Sequence, residues 1–270
     1  MNVEGMRGIQ DSPPRPSGIT SGVGRAGDAR SPDSYGDDAS ETYDDWFREW
    51  ASLGALIDCV TRFAGSGPVL ELGIGNGPLA LALLERGINV HGIDNSAQMV
   101  ARLRARPGGE RIPVTLGDFA ELPVTGEFSV IFAAKGSFFH LPTQDEQVRC
   151  FANVARHLRP GGVFVLDGLT PDETSLLADQ GKVIPRTGDT LVMRFRRYDR
   201  STQHLESHYV GTKGDSVRHL SFTFRYAWPS ELDLMARIAG MRLRERWGGW
   251  DRTPFKPSST YHVSVYELAG

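Results

Sequence analysis

Three clusters of residues in this sequence have types and spacing suited to holding a ligand. The first is Val69-Leu70-Glu71-Leu72-Gly73-Ile74-Gly75-Asn76-Gly77, a short apolar run carrying an acid that breaks into alternating glycines and leads into LALALLERG. Glycines at a strand-to-helix junction let the backbone approach a bound molecule closely, and the helix that follows starts with N–H groups lacking an intrahelical partner. The spacing departs from the GxGxxG of a dinucleotide loop, because Gly77 comes one residue early and Leu79-Ala80 follow it. The second cluster is Asp94 with Asn95 beside it, at the end of the next apolar run. An acid there can bind both hydroxyls of a ribose, or it can cap the helix that starts at Ser96. The third is Asp118-Phe119 after Gly117. Such a pair can bond an adenine amino group and pack on the ring, or serve as a turn acid beside a core aromatic. Glu71, Asp94 and Asp118 recur at the carboxyl ends of successive strand-like runs, and that is the edge at which open α/β sheets bind ligands.

The elements that must position these residues alternate in type. Trp46, Trp50, Leu53, Ile57, Val60 and Ala64 recur at three and four and predict an amphipathic helix that Gly65, Gly67 and Pro68 end. PVLEL and NVHGID read as strands, with SAQMVARLRAR as a helix after the second. Pro113–Leu116, Phe128–Ala133 and Gly162–Leu166 read as further strands, and Gln144–Leu158 as a helix stopped by Pro160-Gly161-Gly162. Strands alternating with helices of this length predict βαβ units and a parallel sheet. After Asp167 the pattern changes: residues 190–198, 203–210 and 217–227 read as strands with no helix between them and with turns near Arg200 and Gly211 to Gly214. A helix over Ser230–Ala239 and strands near Arg242–Trp247 and Tyr261–Leu268 close the sheet. Residues 1–34, rich in Gly, Pro and Ser with no aromatic, predict a disordered tail, leaving 35–270 as the domain and 171–228 as an insertion within it.

Composition sets the outer limits. The chain has 270 residues, a formal charge of −3 and 40% hydrophobic residues, which suits one soluble domain and lacks the basic balance of a nucleic-acid binder. No apolar run is long enough for a membrane span, and the start lacks a secretory apolar stretch, so a cytoplasmic protein is expected. Cys59 and Cys150 stand far apart with no His or Cys partner in sequence, which predicts core thiols in a reducing compartment and no metal site.

VLELGIGNG, HGIDNSAQM, LGDFAELP and LRPGG resemble the class I S-adenosylmethionine-dependent methyltransferases, across roughly Tyr43 to Gly168, and the closing helix and strands fit that family's ending. The resemblance implies a Rossmann-like, seven-stranded, mostly parallel α/β sheet with helices on both faces, with the antiparallel insertion as a lid. It implies S-adenosylmethionine as cofactor, with Gly73, Gly75 and Gly77 facing its methionine part beside Glu71. Asp94 would hold the ribose, Met99 would cover the adenine, Asp118 and Phe119 would meet the adenine edge and face, and Ala134 would lie near the methionine. Tyr35 and Tyr43 resemble tyrosines that family members place over the cofactor.

The acceptor is less clear from the residues. Phe132-Ala133-Ala134-Lys135-Gly136-Ser137-Phe138-Phe139-His140-Leu141 follows the fourth strand without the Asp/Asn-Pro-Pro-Tyr/Phe of an adenine or glutamine amino-methyltransferase and without a nucleophilic Cys. A small molecule or a peptide end is expected, methylated on N or O, as in bacterial natural-product enzymes, in a monomer or homodimer. Methyltransferases of protein or RNA, and a non-catalytic or nicotinamide-binding domain, stay open as alternatives. A hydroxyl acceptor needs a base, and His140, then His208 of the lid, are the candidates. Tyr226, Trp228 and Trp250 are the expected acceptor-side residues. The insertion holds nine Lys/Arg against seven acids, a surplus from which no anionic substrate is read.

Overall fold

The computed structural model describes residues 53–171, 176, 180–184, 190–213 and 216–270. The expected tail, Tyr35, Tyr43, Trp46 and Trp50 lie outside the described residues.

Helix α1 (Leu53–Ala64) turns Leu56, Ile57, Cys59, Val60 and Ala64 into the core at helical spacing. Strand β1 (Val69–Leu72) is buried at every position and is followed by helix α2 (Pro78–Glu85), strand β2 (Val90–Asp94) and helix α3 (Ala97–Arg104). Strands β3 (Val114–Leu116) and β4 (Phe128–Ala133), helix α4 (Gln144–His157) and strand β5 (Leu158–Leu169) complete the alternating part. Thr143 and Glu146 start α4 with a reciprocal capping box. After the insertion come helix α5 (Pro229–Ile238) and the last two strands of the sheet, called β10 (Met241–Trp247) and β11 (Tyr261–Leu268) because four strands of the insertion precede them.

The main sheet has seven strands in the order β10-β11-β5-β4-β1-β2-β3. Only β11 runs against the direction of the other six strands, so the expected mostly parallel sheet is what forms. One face is covered by α1, α2 and Leu103 of α3, the other by α4 and α5, each over its own apolar cluster. Both cysteines are buried in these clusters as free thiols, and burial pushes the Cys59 thiol up to about 12. Strand β5 starts at Leu158, directly off α4, whereas the sequence reading placed its start at Gly162. Phe128 pairs with Leu158 and Val130 with Val163, so Pro160-Gly161-Gly162 forms a bulge inside the strand, with Gly161 at φ 77°.

The insertion forms a separate antiparallel sheet, β6 (Gln180–Ile184), β7 (Thr190–Asp199), β8 (His204–Lys213) and β9 (Ser216–Arg225), paired in that order. Sequence reading missed β6, a short strand between polar stretches. It also placed Gly211 in a turn; in the structure Gly211 pairs with Val192 and Arg218 inside the ladder. The far end of β9 is tied down at Arg225, a buried cation. Its Nη2 reaches Glu231 Oε1 at 2.7 Å on α5, its Nη1 donates to Gln147 Oε1 at 2.6 Å on α4, and Gln147 Nε2 donates back to the Arg225 carbonyl at 2.9 Å.

Candidate active site

The carboxyl ends of β1, β2, β4 and β5 face a cavity of about 590 Å³ whose opposite wall is one face of the four-stranded sheet. Glu71, Asp94, Asn95, Met99, Asp118 and Phe119 line it, as do Gly73, Gly75 and Ala134. The described residues expected to meet the cofactor therefore gather at one site, except Gly77, which is not among the lining residues, and Tyr43 is outside the described residues.

The glycine loop takes its shape from φ values of 73°, 55° and 74° at Gly73, Gly75 and Gly77. A Cβ at Gly77 would strike Leu103 Cδ1 at 2.2 Å, so that glycine is needed for packing. A Cβ at Gly75 would meet nothing within 4 Å, so there the bare backbone leaves room for a ligand. Asp94, 8% exposed, holds the loop in place: its Oδ2 accepts the Gly75 N–H at 2.7 Å and its Oδ1 accepts the Ser96 N–H at 2.9 Å. The helix cap itself is Ser96, whose Oγ accepts from Met99 N, so Asp94 is not the cap. Asp118 Oδ1 accepts the Ala120 N–H at 2.7 Å, fixing the turn that presents Phe119 half-buried beside it. Glu71 is 4% exposed, and its Oε2 is buried with no hydrogen-bond partner among the described residues. Burial pushes its carboxyl up to about 8, Lys135 pulls it back and Asp94 adds to the rise. A cation entering the cavity would favour the ionised form of this carboxyl and could meet its Oε2.

The loop after β4 forms the floor between the two halves. Lys135 sits at φ 65°, a left-handed conformation that costs a non-glycine residue on the order of 1 kcal/mol or more. The anchor that sustains it is Asp167 at the end of β5. Asp167 Oδ1 accepts the Gly136 N–H at 2.7 Å, and Oδ2 accepts from Trp250 Nε1 at 2.8 Å and from the Tyr261 hydroxyl. Burial pushes the Asp167 carboxyl up, against those hydrogen bonds. Sequence reading passed over Asp167 and Tyr261. The positional rule that finds Asp94, an acid at the carboxyl end of a strand, would have found Asp167.

On the acceptor side the outcome is mixed. His140, in a short 3-10 turn (Ser137–His140), lines the cavity and sets its ring edge-on to Phe224 at 4.4 Å. Burial pushes its pKa down to about 3. Tyr226 lines the cavity too, with Trp228 packed edge-on against it at 6.2 Å. Trp228 and Trp250 are not among the cavity-lining residues; Trp250 is 3% exposed and holds Asp167 and Tyr261, and Tyr261 does line the cavity. His208 lies on the far face of the lid. The register sets it opposite Phe195 and Ser221, its ring stacks on His219 at 5.5 Å, and its neighbour Tyr209 is the one on the cavity wall. The period-2 alternation of a strand separates these two residues, which composition alone cannot do. Arg196, Tyr209 and Phe222 of the cavity wall were not among the expected site residues.

Comparison with known proteins agrees with this geometry. Residues 69–162 match the family model described as a methyltransferase domain. The chain is 34% identical to the CcbJ methyltransferase from Streptomyces caelestis, with a TM-score of 0.82, covering 89% of this chain and 100% of that one. It is 27% identical over 241 residues to the cypemycin N-terminal methyltransferase of a Streptomyces species, spanning 87% of this chain and 98% of that protein. The fold is shared with the S-adenosylmethionine-bound amino pentose methyltransferase CalS10 from Micromonospora echinaspora, at a TM-score of 0.63 and 19% identity. The residues fit that cofactor: a buried carboxyl with one oxygen lacking a hydrogen-bond partner that would meet its amine, open space over Gly75, and an acid at the end of β2 that would meet its ribose. The nicotinamide reading of the glycine loop falls away. The chain belongs to the class I S-adenosylmethionine-dependent methyltransferases, with S-adenosylmethionine as its cofactor.

Proposed function

We propose that this enzyme methylates the nitrogen of a small amine, in the cytoplasm and in bacterial secondary metabolism. The observation that carries the reading is the two-sided cavity. Its acid-edged half suits the cofactor, and its other half, walled by Tyr209, Phe222, Phe224 and Tyr226, suits an apolar or aromatic acceptor. S-adenosylmethionine brings the electrophilic methyl group; the chain aligns the acceptor with it and excludes water. A hydroxyl acceptor would need a base, and His140 is poorly suited to that work. Protonating it where its pKa is about 3 costs about 5 kcal/mol more than at an ordinary imidazole. A neutral amine needs no base in the displacement step. His140 then acts as a neutral wall of the pocket.

A peptide α-amine is the second reading, favoured by the likeness to the cypemycin N-terminal methyltransferase along 87% of this chain. Incubation with methyl-labelled S-adenosylmethionine, a panel of amines and alcohols, and a panel of short peptides tests both. Label in amines supports the proposal, label only in peptides supports the second reading, and label only in alcohols refutes both.

A further inference from the structure

The lid sorts its charges by face. The register aligns Lys182 with Arg194, Arg194 with Tyr209, and Arg196 with Ser207, and Ser207 with Phe222. Side chains directly opposite one another in a ladder share a face, so these residues belong with the cavity wall. Among the described strand positions of that face there is no Asp or Glu; Glu206 and Asp199 stand on the alternate positions. Among the described strand positions, the basic residues of that face therefore stand without an acid opposite them. Arg196 is the cavity-lining one among them. Its Nε is buried with no hydrogen-bond partner among the described residues, and so is the Oγ of Ser207 across the ladder. Among the described residues, the charged and polar groups that act on Arg196 are Arg194, Tyr198 and Tyr209, with a hydrogen bond between the guanidinium and the Tyr209 hydroxyl, and no carboxylate is among them. Burial and Arg194 both push its pKa down. Of the cavity's other carboxylates, Asp94 is bonded at the glycine loop, Asp118 in its turn and Glu146 on Thr143, and Glu71 stands at the end of β1 beside the glycine loop.

A guanidinium held in a cavity wall without a counter-charge is a site for an anion, and its planar fork matches a carboxylate. We propose that Arg196 is an acceptor-binding residue that docks a carboxylate of the acceptor, with Ser207 and Tyr209 beside it, so that the substrate is an amine that also bears a carboxylate. This rests on the small-amine reading above. The cofactor's own carboxylate is the other possible source of the anion.

The test uses the full chain saturated with S-adenosylhomocysteine, with phenylacetate and phenylacetamide as probes, in the wild type and in Arg196→Gln. Calorimetry is expected to show phenylacetate binding at least tenfold tighter than phenylacetamide, and that preference is expected to vanish in Arg196→Gln while S-adenosylhomocysteine affinity stays within twofold. Equal binding of the two probes to the wild type would overturn the proposal. A more than tenfold loss of S-adenosylhomocysteine affinity in the variant would also overturn it, by assigning the carboxylate to the cofactor. Amino acids and their amides then serve as methyl acceptors, with KM expected to rise at least tenfold for the acids alone in Arg196→Gln. Selective phenylacetate binding without methylation of any amine would refute the small-amine reading and leave the anion site standing.

Discussion

The two walls of the cavity are built on different principles. The cofactor wall is held by backbone N–H groups bonded to buried carboxylates: Gly75 to Asp94 and Gly136 to Asp167. The lid wall is held by rings, with Phe222 on Tyr209 at 5.5 Å, Phe224 on Phe222 at 4.8 Å and His140 on Phe224 at 4.4 Å. Hydrogen bonds to fixed N–H groups specify one geometry, whereas ring contacts tolerate exchange of shape at similar volume. The lesson is that the wall proposed for the cofactor sits in a part of the fold with little freedom, and the wall proposed for the acceptor in a part that can vary.

The largest expected effect breaks the link between the two. Arg225→Ala strands Glu231 and Gln147 at the foot of the lid and should cost about 3–5 kcal/mol of stability, as removal of one member of a buried ion pair does. Urea unfolding checks this, and a loss below about 1 kcal/mol would show that the lid stands without its tether. On the cofactor wall, Asp94→Ala should weaken S-adenosylmethionine binding by about 1.5–3 kcal/mol, the scale of lost charge-assisted hydrogen bonds. Calorimetry reads it, and unchanged affinity would remove Asp94 from the ribose site.

Two buried histidines, one at the cavity and one in the main sheet, make stability depend on pH. Burial lowers His140, at the lid wall, and His262, on β11, each to about 3. Both are neutral in the folded protein and charge on unfolding near pH 6.5. Their stabilisation is thus present above that pH and lost as pH falls towards 3, by about 2 kcal/mol each at pH 5. Chemical denaturation from pH 7 to 5 should show a shallower decline in His140→Phe and in His262→Phe, by similar amounts. The smallest effect sharpens the division of labour: Tyr226→Ala should raise the acceptor KM while leaving cofactor affinity within about 0.5 kcal/mol. A loss of cofactor binding there would make the two walls one site.

The same division explains what could be read from the sequence. The glycine loop, Asp94 and Asp118-Phe119 each fall where a strand-like run meets a turn, so strand, turn and acid are visible together in one stretch, even though the bond from Gly75 to Asp94 spans 19 residues. Asp167 stands at a strand end, where the rule that finds Asp94 also points, but its partners Gly136, Trp250 and Tyr261 lie as many as 94 residues away and no local pattern names them. His208 and Tyr209 are adjacent in sequence yet face opposite ways, and only the register of β7, β8 and β9 says which one meets the cavity. Arg196 stayed hidden for that reason: a count of charges does not record which side of a sheet they stand on. Strand β6 escaped because five residues between polar stretches give too little alternation to read.

The position of β11 between β5 and β10 has a consequence for synthesis. Tyr261 follows Asp167 by 94 residues, so at about 5–20 residues per second the ribosome delivers it roughly 5–20 s later. Through that interval the nascent chain carries β5, with Val163-Phe164-Val165-Leu166, as an open sheet edge, and a carboxylate whose tyrosine and indole do not yet exist. The insertion, made in the same interval, lengthens the wait. An enzyme that gains a variable lid at this point of the chain therefore gains with it a longer exposure to aggregation during its own translation.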